Sequence, residues 1–196
     1  MPTETVHKKL FTVDEFHQLW DLGILPEDGR FELIRGEIID MGKPKPPHSG
    51  GVNRLVTVFT STLGRSVIVS VQNPFLIDLY SEPFPDLALL KPRQDFYANS
   101  HPGPEDVLLL VEVSHTTVSY DKNVKAPLYA ECAAPEYWQL DVKKDVLIVR
   151  TDPQDGEYQN VRIYRRGESV TIQRLPGFSF PIDEILGPRF PVEENS

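Results

Sequence analysis

A chain of 196 residues, 40% hydrophobic and 25% charged, can bury the core of one ordinary domain and sits near the globular average. A formal net charge of −9 excludes a surface coated with nucleic-acid-binding charge, though not a local basic cleft. The single cysteine, Cys132, excludes an intramolecular disulfide and a cysteine-rich zinc site, and no apolar stretch approaches the roughly 20 residues that span a bilayer.

The five histidines (His7, His17, His48, His101, His115) include no i,i+4 pair, so a bound metal would be held mainly by oxygen, which favours Mg²⁺ or Mn²⁺. No hydrophobic segment of signal-peptide type follows Met1 to Lys9, so a cytoplasmic protein without membrane attachment is expected. Local basic groups exist at Lys43 and Lys45, Arg54 and Arg65, Lys91 and Arg93, and Arg162, Arg165 and Arg166.

In chain order, Phe11-Thr12-Val13-Asp14-Glu15-Phe16 predicts a helix start. Thr12 is the N-cap, Glu15 its capping-box partner, and Phe11 with Phe16 a hydrophobic staple. The helix should end near Asp21, before Gly23. Strands at Arg30–Ile34 and Glu37–Met41 flank Arg35-Gly36, the pattern of a tight β-hairpin. Lys43 to Gly51 reads as a Pro/Gly-rich loop, and Val52 to Leu63 as an amphipathic helix with Val52, Leu55, Val56, Phe59 and Leu63 on one face. Strands are expected at 66–71, 74–79, 86–90 and 107–113, the last two separated by a proline-containing loop.

A helix should follow around Lys122 to Cys132, with Leu128 and Tyr129 towards the core. Pro127 is comfortable only in a first turn, which would put Lys125 where that helix begins. Strands at 136–140, 145–150, 159–164 and 169–175 complete the chain. With no internal repeat or long linker, one domain over 1–196 is expected, of α/β class: a mixed sheet with helices on its faces.

The most informative residue is Glu112, a carboxylate inside the apolar run Val107-Leu108-Leu109-Leu110-Val111-Glu112-Val113. Burying a charge is costly, so such a group is paired, neutralised or bound to metal. Asp86, in Pro85-Asp86-Leu87-Ala88-Leu89-Leu90, opens the preceding strand, so the two acids could share one hard cation, with the Val113 carbonyl as a further ligand. A carboxylate-held metal polarises a phosphate and activates water. Lys125 could orient that water or stabilise developing charge. Taken alone it reads first as a solvated helix-face lysine paired with Asp121 at i,i+4, and Lys122 is its nearest competitor. Glu32, between Phe31 and Leu33, points into a cleft or pairs with Arg30 or Arg35. His48, ahead of a helix whose free N–H groups could receive a phosphate, and Gln72, at a strand end, are weaker candidates with ordinary loop roles as alternatives.

Taken together, Phe31-Glu32-Leu33-Ile34-Arg35-Gly36-Glu37, Pro85-Asp86-Leu87-Ala88, Val111-Glu112-Val113-Ser114, Tyr120-Asp121 through Lys125 to Leu128-Tyr129-Ala130, and Pro135-Glu136-Tyr137-Trp138 occur in order. This set resembles the Uma-two family of restriction-endonuclease-like proteins, within the PD-(D/E)XK nuclease superfamily, from about Phe11 to Leu186. The resemblance implies a restriction-endonuclease-like core with extra β-hairpins. It also implies metal-binding acids at Asp86 and Glu112 and a further acid at Glu32. The superfamily lysine two residues after the second acid is replaced here by Ser114, and the family pattern offers Lys125 on the following helix instead.

The expectation is therefore a Mg²⁺- or Mn²⁺-dependent endonuclease, a hydrolase of phosphodiester bonds, most plausibly in DNA. Asp86, Glu112, Lys125 and Glu32 would be catalytic, and Asp86, Glu112 and Val113 the metal ligands. The rival is a catalytically inactive nucleic-acid- or protein-binding module on the same fold, favoured by the net charge and by Ser114. A third reading is a structural partner that binds neither metal nor nucleic acid. Homodimerisation through exposed sheet edges or hairpins is left open.

Overall fold

The apolar run around Glu112 forms the central strand of the molecule. In the computed structural model, which describes residues 7–188, all eight residues of β5 (Val107–Ser114) are buried. Of the amino-terminal stretch read for a targeting signal, residues 1–6 lie outside the described residues. No helix among the described residues is long and apolar enough to cross a membrane.

The main sheet has the order β3-β4-β5-β6-β7-β8. Its strands are β3 (Ile68–Val71), β4 (Leu87–Leu90), β5, β6 (Glu136–Asp141), β7 (Val146–Gln154) and β8 (Glu157–Tyr164). Pairing is antiparallel except between β5 and β6. A parallel pair needs a crossover, and here it is helical.

Alternation along β5 sends Leu109, Val111 and Val113 into a core with Leu55, Phe59 and Trp138. It sends Leu110 to the other face, with Tyr129, Tyr137 and Phe75. Helix α2 (Pro46–Leu63) covers the first face and the crossover helix the second. The α/β mixed sheet flanked by helices is as expected. Two further two-stranded sheets stand outside it. One is the hairpin β1 (Phe31–Ile34) with β2 (Glu37–Asp40), and the other is β9 (Ser169–Thr171) with β10 (Ser179–Pro181).

Helix α1 (Val13–Asp21) carries the expected capping box between Thr12 and Glu15. The β1–β2 turn places Arg35 and Gly36 at φ of 50° and 77°, the doubly left-handed form that suits the twist of a hairpin.

Several elements differ from the expectation. Helix α2 begins at Pro46, not Val52, because Pro46 and Pro47 occupy its first turn, where a missing N–H costs nothing. Residues 74–79 form no strand. Gln72 turns the chain with φ of 50°, and the segment keeps only an isolated bridge between Asp78 and Ser81. At the carboxyl end, the strand expected over 169–175 stops at Thr171. The segment that follows adds β10 and α5 (Ile182–Leu186), whose Ile182, Ile185 and Leu186 join the α2 core.

Pro127 is accommodated by widening the crossover. Between α3 (Val118–Tyr120) and α4 (Ala126–Glu131), Asp121–Lys125 forms a π-turn in which the Ala126 N–H bonds to the Asp121 carbonyl. The wider turn relieves the clash and the lost bond that the proline would impose on a regular α-helix.

Close approach of α2 to β5 depends on Gly51, where a Cβ would stand 2.7 Å from Val113 Cγ1. Helix propensity alone would favour alanine there by about 1 kcal/mol, but the valine is β-branched and cannot turn aside. Gly51→Ala is expected to cost about 1–3 kcal/mol through overpacking, seen as a lower urea midpoint at unchanged m-value.

Candidate functional site

Register brings the two acids together. Leu87 pairs with Val111, so one step further Asp86 stands opposite Glu112 across the end of the β4–β5 ladder. Glu112 shares the face of Leu110, the face covered by the crossover helix. From that helix Lys125 donates to Glu112 Oε1 at 2.8 Å and to Glu32 Oε1 at 2.9 Å. Tyr129, one turn on and on the same helix face, donates to Glu112 Oε1 at 2.7 Å. The Lys125 side chain is only 1% exposed, so this is a buried ion-pair triad.

Glu32 arrives on the β1–β2 hairpin. Its Oε1 also accepts the Phe84 N–H at 3.1 Å, while its Oε2 is buried without a partner. The hairpin is held in place by Leu33, which exchanges backbone hydrogen bonds with Glu82.

Asp86 is bound from three directions. Its Oδ2 accepts the Val113 N–H at 2.9 Å and faces His48 Nε2 at 2.9 Å. Its Oδ1 accepts from Gln72 Nε2 at 3.1 Å, with Arg30 at 3.8 Å. Glu32, Asp86, Glu112, Lys125, Asp121 and His48 line one cleft.

The surroundings drive the carboxyls apart. Burial pushes Glu112 well above the usual carboxylate range. Lys125 pulls it down, but Asp86, Asp121 and Glu32 push it up again. Burial also opposes ionisation of Asp86, yet the hydrogen bond from His48, the charges of His48 and Lys125 and the Val113 N–H together hold it below its ordinary value. Asp121 is raised, chiefly by burial. Lys125 is pushed down by burial but carried well above the ordinary lysine value by Glu112, Glu32 and Asp121, so it is an ammonium. Carboxyls pushed in opposite directions within one cleft are a frequent mark of a working site.

Some sequence expectations need correction. Lys125 pairs with Glu32 and Glu112, not with Asp121 in a solvated i,i+4 pair, because the π-turn rotates its side chain into the core. Its competitor Lys122 is exposed on the outer side. Glu32 pairs with neither Arg30 nor Arg35, since Arg35 reaches Glu131 instead. His48 lies within the first turn of α2 rather than ahead of it. With prolines at 46 and 47 and the Ser49 N–H bonded to the Lys45 carbonyl, that helix end offers little to an anion.

Ser114, standing where the superfamily lysine would be, is a structural link. It donates to Asp121 Oδ2 at 2.6 Å and accepts from Gln139 at 3.0 Å. Thr117 adds a second donor to the same Asp121 oxygen at 2.7 Å, so Asp121 anchors the π-turn. Tyr129 is the member that sequence reasoning missed as a polar group. Its i,i+4 relation to Lys125 was the available sign.

Among the described residues, no three His, Cys, Asp or Glu side chains form a metal-ligand group. What the cleft could hold is an ion that needs few protein ligands. Glu112 Oε2 takes no hydrogen bond, and Asp86 keeps a lone pair on Oδ1. The Val113 carbonyl leaves β5 on the same edge as its N–H, the edge that Asp86 occupies. Two carboxylates and a carbonyl, all oxygen, fit the Mg²⁺ class, which keeps much of its water.

Among solved structures, the chain is similar to a "putative nuclease belonging to DUF820" from Anabaena variabilis. The two share 18% identity, the alignment covers 90% of this chain and 97% of that one, and the TM-score is 0.65, which establishes a shared fold. The curated proteins include no match. A family model described as "Putative restriction endonuclease" matches residues 13–183, and the chain belongs to that family, Uma2.

Proposed function

We propose that this protein is a divalent-metal-dependent endonuclease that hydrolyses phosphodiester bonds in DNA. The observation that carries the reading is the buried Lys125 ammonium, held between Glu32 and Glu112 beside Asp86 at the base of an open cleft. A purely structural core would favour apolar side chains at these positions, because breaking even with a buried ion triad demands compensation.

Charge at the mouth supports a phosphate-rich substrate. Arg30, Lys43 and Lys45 line the same cleft as the acids, and burial together with the charges of Lys143, Lys45 and His48 disfavours a proton on the nearby His115. The exposed Lys43 and Lys45 stand outside the buried acids, so a nucleic-acid backbone meets cations first despite the net charge of −9.

Asp86, Glu112 and the Val113 carbonyl would hold the ion. When bound, it would polarise the phosphodiester and make water a competent nucleophile at neutral pH. Lys125, fixed by two carboxylates, orients the attacking water or stabilises charge developing on the phosphate. Glu32 holds Lys125 and, through its unpartnered Oε2, is placed to assist as ligand or base. The proposed enzyme acts in the cytoplasm. The second reading, an inactive binding module, draws on the small number of side chains that could ligate a metal among the described residues.

Incubation of the full chain with supercoiled plasmid and Mg²⁺ or Mn²⁺ tests the assignment. Cleavage is expected, falling about 10²–10³-fold in Lys125→Ala and at least as far in Glu112→Ala. Salt-sensitive DNA binding without metal-dependent cleavage would favour the second reading.

Binding of the ion itself is checked by melting. At 100 times its dissociation constant, Mg²⁺ bound only to the folded state adds about 2.7 kcal/mol. Glu112→Ala should remain folded and lose that increment. Retained stabilisation would remove Glu112 from the ligand set.

Lys125→Met, similar in length but uncharged, leaves Glu32 and Glu112 buried without a counter-ion and is expected to cost about 3–5 kcal/mol. The sign with pH follows from the Glu112 carboxyl, whose folded pKa is raised. Its ionisation disfavours folding, so the deficit of Lys125→Met should be small at acidic pH and grow as pH rises from the ordinary glutamate range. Denaturant titrations at several pH values measure it.

A further inference from the structure

We infer that His48 is a positioning residue of the proposed cation site, holding the Asp86 carboxylate by its Oδ2 so that Oδ1 is left for the ion. The inference rests on the reading that Asp86 is a ligand, and goes beyond it in assigning a role to the first turn of α2.

Lone-pair accounting leads to it. An ionised carboxylate offers about four acceptor sites, two on each oxygen. On Asp86 Oδ2, the Val113 N–H and His48 Nε2, each at 2.9 Å, fill both. On Oδ1, Gln72 Nε2 at 3.1 Å fills one, and Arg30, at 3.8 Å, stands beyond hydrogen-bond distance. One site is left, on Oδ1. Because the carboxylate can only accept, His48 must carry a proton on Nε2. Nδ1 is buried and has no partner, so Nε2 is the ring's one hydrogen-bonding contact among the described residues.

The backbone is built to deliver this contact. Pro46 and Pro47 start α2 with fixed φ, so His48 enters the helix from a stiff lead. Gly51, three residues on and on the same helix face, lies so close to β5 that an added Cβ would stand 2.7 Å from Val113 Cγ1. The residue it touches is Val113, whose N–H is the other donor to Oδ2. One helix face therefore seats both the strand that supplies the first donor and the histidine that supplies the second. His48 is 38 residues from Asp86 in sequence, and a side-chain pair of that separation is fixed only by this packing.

The test is Mn²⁺ binding to the full chain without nucleic acid, followed by electron paramagnetic resonance of the free ion. His48→Ala is expected to weaken Mn²⁺ binding about 10–100-fold, the usual cost of losing a group that orients a ligand. His48→Gln, whose amide N–H can replace Nε2–H, should restore most of it, a rescue that a merely space-filling role would not give. Equal affinity in wild type and His48→Ala would overturn the role of His48 and leave Asp86 as a ligand untouched. A wild-type chain that binds no Mn²⁺ would overturn both readings. Should His48→Ala fail to fold, the imidazole ¹⁵N spectrum of the metal-free wild type decides. A proton on His48 Nε2, in the neutral or the charged ring, supports the inference, and a bare Nε2 overturns it.

Discussion

A single ammonium buried between two carboxylates governs the arrangement of this molecule. Lys125 bonds Glu32 and Glu112 within 3 Å, and these three groups come from a hairpin outside the main sheet, its central strand and its crossover helix. Each of the three charges is costly to bury alone, and together they are tolerable only in this geometry. The ion pairs therefore act as a docking constraint. The β1–β2 hairpin shares no ladder with the main sheet, and its placement depends on Leu33 pairing with Glu82 and on Glu32 reaching Lys125.

The crossover shows how local strain becomes useful. Pro127 forbids a regular helix at that point, and the π-turn that accommodates it rotates Lys125 towards the sheet. Asp121, tied to Ser114 and Thr117, fixes where the turn begins, and Gln139 continues the link to Arg150 on β7. Ser114 thus helps to seat the element that carries Lys125.

Charge is segregated on the scale of one cleft. Acids form the floor, where burial and mutual repulsion raise Glu112 and Asp121 while His48 and the Val113 N–H keep Asp86 low. Cations form the rim. A net charge is a sum over the whole surface and says nothing of this division, which is why the −9 balance is compatible with a substrate of phosphates.

The sequence by itself determined the elements whose determinants are local. The Thr12–Glu15 capping box, the Arg35-Gly36 turn and the apolar β5 could be read directly. So could the conspicuous Glu112, because burial of a charge must be explained wherever it falls in a strand. The ordered fragments around Asp86, Glu112 and Lys125 also sufficed for the family resemblance. Where a rule of local pattern competed with packing, reading failed. The first turn of α2 passed for loop because of its prolines and glycines, residues 74–79 passed for a strand because they are apolar, and Tyr129 passed for plain core. Tertiary structure alone decided that Lys125 pairs with Glu32 across 93 residues and that His48 reaches Asp86 across 38. It also decided that Lys45 and Arg30 share a cleft. Such contacts depend on how a hairpin, a sheet and two helices seat against one another, and the free energy that seats them comes from burial summed over the core, which no short window of sequence contains.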